Sequence, residues 1–248
     1  MTPPLPFRPC AVIPTYNNPM TIARVVAEVR RHLPDVVVVD DGSHGDGRAG
    51  VDAVEREGSA RVVRRPQNGG KGAAVKTGFA AARDLGFTHA LQIDADGQHD
   101  VADIPRFLAL AAARPEAAVL GHPVFDESTP RGRRAAHALT NFWTRVEVAG
   151  PAITDPQCGY RVYPLGPACA VAAGADHMDF DIEIAVRLVW AGVPIINVPT
   201  RVRYLPPAEG GVSHFRLFRD NVAITWMHTR LVVGSLVWRL LRLRRRLT

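Results

Sequence analysis

Cysteine is scarce: the 248-residue chain has three, Cys10, Cys158 and Cys169. None stands in the C-x2-C spacing of a zinc site, and an odd, scattered set argues against a disulfide framework. Such residues suit a reducing compartment, packed as small hydrophobes. Long apolar runs are missing too. Met1 to Pro9 carries no apolar stretch of the secretory kind, and no 18-residue window is both apolar and uncharged. Neither a signal peptide nor a spanning helix is expected, which points to the cytoplasm. Two phosphate signatures are absent as well. No G-x-G-x-x-G follows the first apolar run, against an NAD-binding dehydrogenase, and no G-x-x-x-x-G-K-[ST] appears, against a P-loop NTPase. Neither internal repeats nor low-complexity linkers occur.

What is present suits a folded enzyme. Apolar residues are 47% of the chain and charged residues 22%, enough for a large core without the charge density of a disordered protein. The net charge of +6 gathers at the C-terminus, in Arg239, Arg242, Arg244, Arg245 and Arg246. A terminal basic cluster points to an anionic surface.

Short apolar, β-branched runs alternate with helical patterns through the first half. Strands are expected at Cys10–Ile13, Val36–Val39, Arg61–Val63, Ala90–Ile93 and Ala117–Leu120. Helices are expected over Met20–Leu33 and over Lys71–Leu85, the latter closed by Gly86. Phe180–Trp190 reads as a further helix and Ile195–Tyr204 as extended, broken at Pro199. This alternation predicts an α/β fold: a mostly parallel central sheet with helices on both faces. Ligands of such sheets sit outside the carboxyl ends of the strands. Three strands here end in polar clusters: Pro14-Thr15-Tyr16-Asn17, Asp40-Asp41-Gly42-Ser43 and Asp94-Ala95-Asp96.

The last cluster is the sharpest. Two carboxylates one residue apart at a strand end can both reach a hard divalent cation, and Mg2+ or Mn2+ with oxygen ligands can bridge a diphosphate. Gln98 and His99 follow within reach of the same ion. The Asp40-Asp41 end can accept from a base or a ribose, although Asp-Gly also favours tight turns without any function. Asn68-Gly69-Gly70-Lys71-Gly72 precedes a helix, and exposed N–H groups beside a lysine there suit a diphosphate.

Taken in order, these segments resemble the family 2 glycosyltransferases of GT-A fold, in the dolichyl-phosphate mannose synthase-like branch. Val12 to Asn17, Val38 to Ser43, Asn68 to Gly72 and Asp94 to His99 carry the resemblance. Asp155 to Arg161 is similar to the acceptor-side loop, and Phe180-Asp181-Ile182-Glu183 to the helix that follows it. The resemblance spans roughly residues 8–220 and implies a transferase domain over 1–220, with 221–248 as an amphipathic, basic segment. It implies a nucleotide-sugar donor, a divalent metal and a lipid-linked acceptor.

The resemblance also assigns roles. Pro14, Tyr16, Asn17 and Asp41 would hold the nucleoside, with Lys71, Asp94, Ala95, Asp96 and Gln98 completing the donor site. Asp96, Gln98 and Asp94 would hold the metal. Gln157, Gly159, Tyr160 and Arg161 would border the sugar and acceptor. Asp181, Glu183 and Asp179 lie where this superfamily often places its base. Polyprenyl-phosphate enzymes commonly carry Gly-x-Arg after the fifth strand, whereas this chain has Gly121-His122-Pro123. Arg131 is a nearby source of the missing charge, and Arg216 is placed on the same acceptor and diphosphate side. The resemblance implies a polyprenyl phosphate as the acceptor, with a lipid hydroxyl as the alternative.

From Asn221 to Arg242 the chain reads as one long helix. Asn221, His228, Ser235, Arg239 and Arg242 form a polar stripe on an otherwise apolar surface. Arg230 and Arg239 would each cost about 2.5–3.5 kcal/mol near a bilayer centre, which argues against spanning. Lying in the interface avoids that cost, so the expectation is a peripheral enzyme on the inner face of the cytoplasmic membrane. A sugar-phosphate nucleotidyltransferase would need a glycine-rich loop after the first strand, and Pro14 to Asn17 is not one. A non-catalytic nucleotide-sugar-binding protein fits poorly with Asp94, Asp96 and Lys71 all present. A nucleic-acid partner is not expected, because the basic cluster is interleaved with leucine.

Overall fold

The computed structural model describes residues 7–124, 131–203 and 217–247. In chain order the strands are β1 (Pro9–Thr15), β2 (Val36–Asp40), β3 (Arg61–Arg64), β4 (His89–Gln92), β5 (Ala118–Pro123), β6 (Arg161–Pro164) and β7 (Ile195–Thr200). The helices are α1 (Ile22–Arg30), α2 (Gly45–Arg56), α3 (Lys71–Asp84), α4 (Ile104–Ala113), α5 (Arg131–Glu147), α6 (Leu165–Ala170), α7 (Phe180–Trp190) and α8 (Leu217–Leu247). The seven strands form one sheet in the order β3-β2-β1-β4-β6-β5-β7.

The four strands β3, β2, β1 and β4 are parallel, so their carboxyl ends open on one edge. The register sets Thr15 against Asp40 and Val12 against Gln92, bringing the polar clusters side by side. β6 runs antiparallel to both β4 and β5, making the sheet mixed. That strand was not expected from the sequence, since Arg-Val-Tyr-Pro shows no apolar run. The guanidinium of Arg161 is buried, and its hydrogen bonds inside the fold make a strand there possible.

Alternate residues of each strand face opposite sides of the sheet. Val37 and Val39 join the core with α3, α7 and α8, while Val36 and Val38 join the core with α1, α2 and α4. Burial on both faces explains why Val36–Val39 reads as a continuous apolar run. Gly86 takes φ +79° and ends α3 where expected. α2 was not legible, because its first six residues include Gly45, Gly47 and Gly50, poor helix formers. Packing explains two of the three. A Cβ on Gly47 would lie 2.6 Å from Asn17, and one on Gly50 would lie 3.2 Å from Ile22.

α8 is longer than the Asn221–Arg242 expected and turns the middle of its polar stripe inward, leaving Asn221 exposed. His228 and Ser235 are buried alongside Met227 and Leu231, whereas Val222, Trp226, Val233, Leu236, Val237 and Leu240 are all more than half exposed. His228 Nδ1 lies 2.7 Å from Glu147 Oε1, and the Arg239 guanidinium donates to the carbonyl of Val146. A buried carboxylate on α5 thus selects the polar face of α8, and the apolar face is left outside. Among the described residues no helix is long and apolar enough to cross a membrane.

Candidate active site

The site is built where β4 ends and the N-termini of α3 and α7 converge. Lys71, the first residue of α3, places Nζ 2.8 Å from Asp94 Oδ2 and 2.8 Å from Asp181 Oδ2. His99 Nε2 stands 3.7 Å from the same Asp94 oxygen. Burial alone would lower the lysine's pKa, but Asp181 and then Asp94 outweigh it and hold the ammonium well above its usual range. Asp94 shows the reverse. Burial pushes its carboxyl up, yet Lys71 and His99 together keep it below the ordinary carboxylate range. Gln92 Nε2 donates to Asp181 Oδ1 at 2.8 Å, so both oxygens of Asp181 are engaged.

Asp96 differs. Its Oδ1 accepts from the N–H of Gln98 at 3.0 Å, and among the described residues it has no ion-pair partner. Burial and then the charge of Asp94 push its pKa up. Asp94 Oδ1 is buried without a hydrogen bond. The free oxygen of Asp94 and the carboxylate of Asp96 form an acidic edge suited to a hard cation. Among the described residues no group of three His, Cys, Asp or Glu could hold a metal, so the remaining ligands would have to come from diphosphate or water. The segment is fixed from two sides. Thr21 Oγ1 donates to the carbonyl of Ala95 at 2.6 Å, and the N–H of Arg203 donates to the carbonyl of Gln98 at 2.8 Å.

The acceptor-side loop lies directly over this cluster. A Cβ on Gly159 would come within 2.6 Å of both Asp94 Oδ2 and Lys71 Nζ. Asp155 shapes the loop, its Oδ1 accepting from the N–H groups of Gln157 and Cys158 at 2.8 and 2.9 Å.

Several residues to which the resemblance assigns roles are bonded within the protein. Asp41, expected at the nucleoside, accepts from the N–H groups of Gly69 and Gly70 and pairs with Arg65 at 2.7 Å. The N–H of Ala73 donates to Asp176 O. The N–H groups of Gly69, Gly70 and Ala73 are therefore taken by the protein's own oxygens. The Asn68–Gly72 turn is thus tied to Asp41, Asp94 and Asp181. Tyr160 and Arg161 are fully buried. Tyr160 stacks on Phe107, and Arg161 ties Cys158 O, Pro156 O and Asp181 O together beneath the loop. Gln157 reaches Thr140 Oγ1 at 2.6 Å. Glu183 accepts from the N–H of Ala175 and pairs with Arg187. Asp179 is buried, with Oδ1 lacking a partner and burial raising its pKa.

On the nucleoside side, Pro14 is buried at the end of β1 and Tyr16 is half-buried. Asn17 takes φ +51°, its N–H donating to Ser43 Oγ and its Oδ1 accepting from the N–H of His44. The backbone of Arg131 opens α5, and Arg216 lies outside the described residues. Gln92 and His137 were missed by the sequence reading. Gln92 sits inside a strand and His137 in a helix with no local motif, so only pairing partners distant in sequence reveal them.

The Glycosyl transferase family 2 model matches residues 10–164. Among curated proteins, the chain is 28% identical over 203 residues to undecaprenyl-phosphate mannosyltransferase of Micrococcus luteus, covering 78% of this chain and 82% of that one. It is 30% identical over 203 residues to polyprenol monophosphomannose synthase of Mycolicibacterium smegmatis, covering 77% and 76%. Its fold is similar to glucosyl-3-phosphoglycerate synthase from Mycobacterium tuberculosis, solved with Mn2+, uridine-diphosphate-glucose and phosphoglyceric acid. The TM-score there is 0.68 at 18% identity, over 93% of this chain and 80% of that one. An α/β sheet covered on both faces, with its carboxylates at the strand ends, has the GT-A architecture. The chain belongs to glycosyl transferase family 2 and is a glycosyltransferase.

Proposed function

We propose that this glycosyltransferase moves a hexose from a nucleotide sugar to a polyprenyl phosphate at the inner surface of the cytoplasmic membrane, with inversion at the anomeric carbon. The observation that carries the acceptor class is the state of the candidate bases. A hydroxyl acceptor needs a positioned base, typically contributing about 10²–10⁴-fold. Two of the three candidates are occupied: Asp181 has both oxygens engaged by Gln92 and Lys71, and Glu183 is held by Ala175 and Arg187, while Asp179 keeps one oxygen unpartnered and is the base a hydroxyl acceptor would have to use. A phosphate is already ionised near neutral pH and attacks without their help. Both named relatives, the mannosyltransferase and the mannose synthase, have polyprenyl phosphates or polyprenols in their names, which supports the same class.

On the donor side, Asp96 and the unpartnered oxygen of Asp94 fit a Mg2+ or Mn2+ ion. A divalent cation held there would offset the charge of the departing nucleoside diphosphate. Lys71 holds Asp94 and Asp181 in place, and Gly159 lies over them where any side chain would crowd the Asp94–Lys71 pair. The donor is a UDP- or GDP-sugar, held by the strand-end residues Pro14, Tyr16 and Asn17. The exposed apolar row of α8, followed by Arg244 to Arg246 in the sequence, supports a peripheral membrane contact.

The test uses the purified full chain, a panel of UDP- and GDP-sugars, and undecaprenyl phosphate or undecaprenol in detergent. Transfer to the phosphate alone is expected, abolished by EDTA and reduced by at least ~10²-fold in D96N. Transfer to the alcohol, or full activity in folded D96N, would overturn the reading.

A further inference from the structure

Helix α5 presents different chemistry on its two sides. Outward, Leu139 and Phe142 are more than half exposed, and Trp143, 38% exposed, meets Phe142 edge-on at 5.3 Å. Inward, His137 Nδ1 lies 2.5 Å from Asp155 Oδ2, and Thr140 Oγ1 accepts from Gln157 Nε2 at 2.6 Å. Asp155 and Gln157 belong to the loop that lays Gly159 on the Asp94–Lys71 pair. One helix therefore touches the surroundings with three large apolar side chains and the acceptor loop with two polar ones.

The charge distribution selects the surroundings. α5 and α8 together contain eleven arginines and two acids, Glu147 and Asp220, and both acids are buried. The rest of the chain has 19 Lys and Arg against 22 Asp and Glu, so the net positive charge resides on these two helices. They are joined through Glu147 and His228, and each exposes an apolar row. Exposed Leu, Phe and Trp on arginine-rich helices whose two acids are buried match the interface of an anionic bilayer, where apolar groups reach the acyl boundary and arginines meet phosphates.

Resting on the membrane reading above, we propose that α5 is a second lipid-facing helix and that it couples membrane contact to the acceptor loop, with His137 as a positioning residue. Lipid binding at Leu139, Phe142 and Trp143 steadies α5. His137 and Thr140 then hold Asp155 and Gln157, fixing the height of Gly159 above Asp94. The acceptor loop is ordered when the enzyme is on the surface that carries its acceptor.

The experiment needs neither donor nor turnover. The full chain is mixed with vesicles of phosphatidylcholine and phosphatidylglycerol, some carrying brominated acyl chains. Bromine is expected to quench tryptophan fluorescence, with less quenching in W143F. Amide exchange at residues 155–160 is expected to slow on vesicle binding, by about tenfold, as for a segment drawn into a more stable unit. H137F, checked for folding by circular dichroism, should bind vesicles and lose that protection. H137N carries an N–H donor near the position of Nδ1 and should recover it. If the protein fails to bind vesicles, the membrane reading and this inference fall together. If it binds but W143F quenches like wild type, or H137N protects no better than H137F, the inference alone is overturned.

Discussion

Nζ of Lys71 lies 2.8 Å from Oδ2 of Asp181, joining the first turn of α3 to the first turn of α7. The same ammonium bonds Asp94 at the end of β4, so a single cation pins three elements at the strand ends. Removing it should be felt by the fold before it is felt by the donor. K71M leaves two mostly buried carboxylates without a counter-charge, and breaking such a pair costs about 3–5 kcal/mol. The expected result is a lower denaturation midpoint with unchanged m-value, measured by urea titration. Wild-type stability in K71M would mean that the lysine serves only the ligand.

Gly159 is required for space and not for conformation, since it does not adopt positive φ. G159A would push a methyl group to 2.6 Å from Asp94 Oδ2 and Lys71 Nζ, atoms that pack closely against each other already. Overpacking of this kind costs about 1–3 kcal/mol. Sugar transfer should fall well beyond what the loss of stability explains, because the loop must lift from the site. Full transfer activity in G159A would place the reacting sugar elsewhere.

Asp155 provides a pH signature. Burial raises its pKa, but the bond to His137 and the loop N–H groups outweigh that and hold it below the ordinary value. A folded pKa below the unfolded one gives stability that is present above the unfolded value and lost as pH falls through the folded value. Thermal midpoints across the acid range should therefore drop less steeply in D155N than in wild type. At neutral pH D155N should be less stable by about 1.5–3 kcal/mol, the worth of hydrogen bonds to a charged group. Parallel acid slopes would refute the assignment.

The parallel half of the sheet was legible because Val12–Ile13 and Val36–Val39 are apolar, β-branched and bounded by turns, features that depend on neighbours in sequence. Asp94 and Asp96 were legible for the same reason: a D-x-D at a strand end is a local pattern. Asp41 and Lys71 were legible as site-edge residues but not in their partners. A carboxylate after a strand carries no local sign of the N–H groups it accepts from, because Gly69 and Gly70 reach Asp41 only through the fold.

The amino-acid sequence alone determined the family, the strand–helix alternation and the place of the acidic edge, because these rest on short-range periodicity and motif order. Tertiary structure decided what each charge does. It set Asp181 and Glu183 on internal partners, buried Arg161 beneath the Asp155–Gly159 loop, and turned His228 of α8 inward against Glu147. The physical reason is that desolvated charges must find counter-charges or hydrogen bonds. Those partners come from elements far apart in sequence, meeting only when the sheet closes.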